Sequence, residues 1–188
     1  MRLVEETHRD FVRAGAELSE AEQETLRAIN TELAELQTRF SQNVLNEVNE
    51  MFTVVDTREE LAGLTEAQIE GAADAAEERD LAGKYVIPML NTTQQPTMAS
   101  LENRDLRERM LTTSMTRGSR GGEYDNRETL SRTARLRAER AQLLGYVTHA
   151  DYILDDQTAK TVAAVTERLG SLTPPAVANA VREAADLQ

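Results

Sequence analysis

Apolar residues recur at three- and four-residue steps along most of this chain, the spacing that places them on one face of an α-helix. Leu3, Val4, Phe11 and Val12 fit a first helix that Gly15 ends, and Ser19 with Glu22 forms a capping box that opens the next. In that second helix Leu26, Ile29, Leu33, Leu36, Phe40, Val44 and Val48 predict one apolar stripe over roughly six turns. The heptad spacing is soon lost as the step drifts to four, which favours a core helix over a coiled coil.

The texture changes at Met51. Phe52 to Val55 is short and β-branched, and the stretch 85–90 is the one plausible partner for it, so the pattern predicts a small two-stranded element from 52–55 and 85–90. Pro88 cannot donate to a ladder, which makes the second strand an edge or ends it there. Between the two, Thr65 and Gln68 form another capping box before a helix through Ala67, Ile69, Ala72, Ala73 and Ala76, stopping ahead of Gly83. The run Asn91-Thr92-Thr93-Gln94-Gln95-Pro96 reads as a polar loop.

Helices then resume. Met98, Leu101, Leu106, Met110, Leu111 and Met115 predict one over 99–117, broken by the glycines of Gly118-Ser119-Arg120-Gly121-Gly122. A long helix over 125–144 ends at Gly145, a short one follows over 148–154, Thr161 opens another, and Pro174-Pro175 suits the first turn of a last helix through Val177, Val181 and Leu187 to Gln188. The fold class is thus mainly α, a multi-helix segment with a small β element. The final helix carries no C-cap, so the sequence reads as cut there. A severed piece is expected to expose apolar surface and to self-associate.

Composition narrows the function classes. The chain has 188 residues, enough for one sizeable core without staples. Cysteine is absent, which removes disulfides, thiolate metal sites and a cysteine nucleophile and agrees with a reducing compartment, the cytoplasm by default. No apolar run has the length of a membrane span or signal core, so no membrane partner is expected. A formal charge of −12 argues against nucleic acid as a partner, because phosphate-backbone affinity comes from Lys and Arg. Arginines concentrate between Arg104 and Arg140, with ten against six carboxylates, and the ordinary expectation for them is pairing with Glu three or four positions away on exposed helix faces.

A search for chemistry finds little. Hydrolytic zinc sites commonly use two histidines one helical turn apart with a glutamate base between them. The two histidines here, His8 and His149, are far apart in sequence and neither has a histidine four positions away, so no metal ligand, catalytic or cofactor-binding residue is assigned. The Gly118–Gly122 loop follows a helix rather than a strand, which undercuts a phosphate cradle. Asp155 and Asp156, adjacent and so pointing apart on a helix, read as caps or solvated charges.

Several stretches nonetheless carry a resemblance. Asp10-Phe11-Val12-Arg13-Ala14-Gly15-Ala16, Phe40-Ser41-Gln42-Asn43, Asp56 to Leu64, Asn91 to Pro96, Arg117 to Asn126, Arg137 to Ala141, Leu144-Gly145-Tyr146 and Asp156 to Thr161 resemble, in order, the thimet-oligopeptidase-type zinc metallopeptidases. The likeness is strongest to their peptidyl-dipeptidase branch, also called dipeptidyl carboxypeptidases. The resemblance implies a helical enzyme with a deep channel and a zinc ion held by a His-Glu-x-x-His helix and a further Glu. It also implies an activity that removes C-terminal dipeptides from oligopeptides. No residue of that zinc motif exists here, so residues 1–188 correspond by resemblance to a helical, non-catalytic portion of a larger metallopeptidase, truncated at the C-terminal end and also at the N-terminal end. Its partners would be the missing catalytic half and the oligopeptide substrate; zinc would belong to the parent. The Gly118–Gly122 loop is the candidate for a mobile channel element, beside the plainer reading of a helix connector. The alternative is a stand-alone helical interaction module that offers stripes such as Leu26 to Val48 to a partner helix.

Overall fold

A computed structural model describes residues 2–187, apart from the side chain of Asn91. Its elements are helices α1 (Arg2–Arg13) and α2 (Glu20–Glu50), strand β1 (Phe52–Val55), a 3-10 turn at Arg58–Leu61, helix α3 (Glu66–Glu77), strand β2 (Tyr85–Pro88), and helices α4 (Asn91–Ser100), α5 (Arg104–Met115), α6 (Arg127–Leu143), α7 (His149–Leu154) and α8 (Val162–Asp186). The chain divides into two compact units: Met1–Glu35 with Arg132–Gln188, and Leu36–Ser131. The first unit holds α1, the start of α2, most of α6, α7 and α8; the second holds everything between.

The second unit is built around its sheet. β1 and β2 pair antiparallel, with Phe52 opposite Pro88 and Val55 opposite Tyr85, and the Met89 N–H donates to Met51 O at 3.1 Å. Val55, Ile87, Met89, Leu61, Ile69, Leu106 and Met110 form one buried cluster from the strands, the 3-10 turn, α3 and α5. Thr65 caps α3 as predicted, its side chain accepting from the Gln68 N–H. Gly63 is a position with no alternative. Its φ is +92°, and a Cβ there would lie 2.1 Å from Ser100 O, so any side chain would push α4 off the turn.

Three sequence expectations give way. The polar stretch predicted as a loop is helix α4: the Thr93 and Gln94 N–H groups both reach Leu90 O, at 3.0 and 2.8 Å. Gln94 and Thr97 are buried, and the Thr97 hydroxyl donates to Thr93 O at 2.8 Å. Pro96 lies on the exposed face, so the carbonyl it leaves unbonded, that of Thr92, can be hydrated. The single helix predicted over 99–117 is two helices. Asn103 caps α5 by accepting from the Leu106 N–H at 3.0 Å, the Glu102 N–H donates to Ala62 O at 2.8 Å, and the Arg107 guanidinium donates to Leu101 O and Glu102 O. The Leu101 and Glu102 carbonyls and the Glu102 N–H of the break are thereby engaged. Finally, Pro174 and Pro175 do not open a helix; they lie inside α8. Proline's φ is already helical, and the carbonyls it frees, Gly170 and Ser171, lie on a fully exposed helix where water takes them. The expected reach of this helix to Gln188 lies, at that residue, outside the described residues.

In the first unit, Leu26 and Ile29 on α2 and Leu136 and Ala141 on α6 are buried. Arg132 donates to both carboxylate oxygens of Glu32 at 2.7 and 2.8 Å, a bidentate pair. Helix α8 buries none of its residues, and Leu169, Leu172, Val177 and Val181 on it are exposed.

Leu106→Ala, at a side chain 1% exposed, is expected to cost about 2–5 kcal/mol in chemical unfolding of the second unit. Leu169→Ala on α8, 58% exposed, is expected to cost under about 0.5 kcal/mol.

Candidate functional site

In the second unit, the polar groups gather where the loop 116–126 meets α2. The stripe on α2 predicts apolar positions throughout, yet Glu47, between Val44 and Val48, is itself 8% exposed. Its carboxylate accepts the Gly118 N–H at 2.5 Å and faces the Arg120 guanidinium at 3.8 Å. A buried charge of this kind is tolerable only with partners, and the loop supplies them.

The same loop is fastened at four further points. The Arg117 guanidinium donates to Met89 O at 3.0 Å, and the Asn126 N–H to Gly118 O at 2.8 Å. The Gly121 N–H donates to the Asp125 carboxylate at 2.7 Å, and the Tyr124 hydroxyl to Glu50 at 2.7 Å. That last bond pushes the Tyr124 phenol up to about 12. Asp125 also accepts from the Arg127 guanidinium and backbone N–H, which holds its carboxyl well below the usual carboxylate range. The N–H groups of Gly118 and Gly121 that would cradle a phosphate are thus already spent on carboxylates. The buried Asn126 side chain bridges to α2, donating to Phe40 O at 3.2 Å and accepting from Asn43 at 3.1 Å.

The arginines of this region do more than solvate helix faces. Arg109 donates to Val54 O, Arg117 to Met89 O and Arg107 to Leu101 O, so guanidinium groups serve carbonyls that sheet and helix geometry leave unpaired. The sequence alone gave no signal for these contacts.

In the first unit, Asp155 is the C-cap of α7, as expected of a cap, and both Asp155 and Asp156 also form ion pairs. Arg13 of α1 donates to Asp155 at 2.7 Å and to Tyr152 O at 2.8 Å, while Arg9 meets Asp156 at 3.0 Å. The Tyr146 hydroxyl also donates to Asp155 at 3.1 Å. The Arg13 guanidinium sits 4.7 Å from the Tyr152 ring centre, and the Tyr146 and Tyr152 rings meet edge to face at 5.3 Å. Arg9 and Arg13 of α1 are thereby tied to Tyr146, Tyr152, Asp155 and Asp156 in and around α7.

The residues present do not fit a zinc centre. His8 is exposed on α1. His149 is half-buried, and burial together with the charges of Arg137 and Arg140 pushes its pKa down, an environment that also repels a dication. Among the described residues no group of three or more His, Asp or Glu could hold a metal ion. Among the described residues no helix is long and apolar enough to cross a membrane.

Partial burial raises the pKa of Asp155, and the Arg13 and Tyr146 hydrogen bonds outweigh it, leaving the group depressed. Its contribution to stability is therefore fully present above the unfolded value, about 3.9, and is lost as pH falls through the folded value. Asp155→Asn is expected to lower stability at pH 7 by up to about 1 kcal/mol, the solvent-screened worth of such a pair. In thermal melts that gap should close by pH 2; a gap that persists would show that the pair is not what Asp155 contributes.

The chain is similar in sequence to known proteins. The model of peptidase family M3 matches residues 97–188. Dipeptidyl carboxypeptidases of Salmonella typhimurium and Escherichia coli are each 38% identical to the chain over 188 residues, covering 100% of it and 28% of the relative. Oligopeptidase A of Haemophilus influenzae is 32% identical over 191 residues. The chain spans a little over a quarter of the length of these curated relatives. Over residues 97–188 the chain matches the model of peptidase family M3, and along its whole length it is similar to the dipeptidyl carboxypeptidases.

Proposed function

We propose that this chain is a helical, non-catalytic portion of a zinc-dependent peptidyl-dipeptidase that releases C-terminal dipeptides from oligopeptides. One observation carries the reading: 38% identity to dipeptidyl carboxypeptidases from end to end. In this reading the chain forms a wall of the substrate channel. The zinc site and its water-activating chemistry lie in the catalytic half that partners it, and the enzyme works in the cytoplasm. His149, facing the charges of Arg137 and Arg140, sits where a dication is disfavoured. The fastened loop 116–126 would serve as a fixed wall feature rather than as a mobile one.

The second reading, a stand-alone helical interaction module, draws on α8, whose exposed Leu169, Leu172, Val177 and Val181 form the kind of patch that marks a contact surface or self-association.

Purified chain, dialysed against zinc and assayed for dipeptide release from a blocked oligopeptide, is expected to hold metal well below stoichiometry and to release no dipeptide. One tightly bound zinc per chain with turnover would refute the non-catalytic reading. A separate measurement bears on the loop: Glu47→Ala is expected to raise trypsin cleavage after Arg117 and Arg120 by about tenfold, because each carboxylate bond lost is worth about 1.5 kcal/mol or more. An unchanged cleavage rate would mean that Glu47 does not hold the loop.

A further inference from the structure

The two edges of the small sheet are treated differently. Because Met89 N–H donates to Met51 O, the pairs that exchange hydrogen bonds across the ladder are, by the two-residue period, Thr53 with Ile87 and Val55 with Tyr85. Phe52 and Val54 therefore aim their N–H and C=O groups at the opposite side of β1. On β2 the corresponding outward positions are Val86 and Pro88, and Pro88 has no N–H to offer, so that edge is blunted. No proline or lysine blunts β1. Its Val54 O accepts from Arg109 at 2.9 Å, while the Phe52 N–H, the Phe52 C=O and the Val54 N–H have no partner among the described residues.

Beside that edge runs a groove of about 650 Å³, with Phe52 and Val54 on one side and Asp105, Glu108, Arg109 and Thr112 of α5 on the other. Its volume is that of a ligand site. Its far wall carries two carboxylates, and its one cation, Arg109, is already engaged with Val54 O. An open strand edge facing a groove is the geometry by which a sheet takes up an extended peptide, with main-chain bonds giving affinity and the groove wall giving selectivity.

We propose that the groove between β1 and α5 binds an extended oligopeptide as a third strand, paired to Phe52 and Val54, with a cationic peptide side chain against Asp105 and Glu108. The choice of a peptide over any other strand donor rests on the peptidase reading above; the cationic preference rests on the groove alone.

The test is a ¹⁵N–¹H NMR titration of the full chain with acetyl-Lys-Val-Lys-Val-Lys-Val-amide. Two analogues of this peptide are N-methylated on alternate residues, one set each. The expected result is shifts centred on the Phe52, Thr53 and Val54 amides, with affinity about tenfold weaker for one methylated set and unchanged for the other, since only one set faces β1. Val54→Pro removes an outward N–H without touching the ladder to β2, and should weaken binding about as much; the methylated peptides carry the test if that variant does not fold. Asp105→Asn with Glu108→Gln should weaken this peptide about threefold or more and leave a peptide with Ser in place of Lys unaffected. Equal binding by both methylated sets, shifts confined to α8, or no binding at millimolar peptide would overturn the proposal. So would concentration-dependent pairing of Phe52 and Val54 without peptide, which would assign the edge to a second copy. Bound zinc with dipeptide release would refute the non-catalytic reading and leave this titration untouched, so the two readings fail separately.

Discussion

A carboxylate buried on a long helix organises the second unit. Glu47 lies where the α2 stripe calls for an apolar residue, and burial without partners would cost several kcal/mol. The Gly118 N–H at 2.5 Å and the Arg120 guanidinium at 3.8 Å meet that demand. Once the loop is drawn to Glu47, Arg117 reaches Met89 O at the end of β2, Asn126 reaches Phe40 O, and Tyr124 reaches Glu50. The glycines allow this path, and Gly118 takes a φ of +69° on it. A loop rich in glycine is thus held by polar contacts rather than left loose by composition.

The sheet shows the complementary rule. A two-stranded sheet is stable only against other elements, and here α3 and α5 supply Ile69, Leu106 and Met110 to its buried face. What packing does not satisfy is the outward row of backbone groups. Arg109 meets Val54 O, Pro88 has no donor to leave unmet, and the β1 side opens toward a groove beside α5. The same arginine surplus that looked like a solvated helix face in the sequence thereby becomes main-chain support.

Similarity to M3 peptidases gives these features a setting without moving any catalytic residue onto this chain. Channel walls in a peptidase must be rigid where they exclude folded proteins and must present backbone groups where they hold extended ones. Under the proposed channel-wall reading, the anchored loop and the open strand edge would be these two kinds of surface, and both lie in the unit that contains Leu36–Ser131.

Periodicity and capping chemistry made most of the fold legible. The Ser19 and Thr65 boxes and the stop of α6 before Gly145 rest on contacts within a few residues, where sequence spacing is geometry, while the stripe of α2 and the partnering of 52–55 with 85–90 follow from helix and strand periodicity. The absence of a His-Glu-x-x-His pattern was equally plain. Tertiary structure alone decided the rest, because it depends on partners distant in the chain. Asn91 to Pro96 is helical since Gln94 and Thr97 are buried, the Pro174-Pro175 pair is carried inside α8 since water can take its freed carbonyls, and Asp155 is an ion-pair partner since Arg13 is brought to it. The burial of Glu47 has no signal in the sequence, for nothing nearby in the chain reveals the Gly118 N–H that accompanies it.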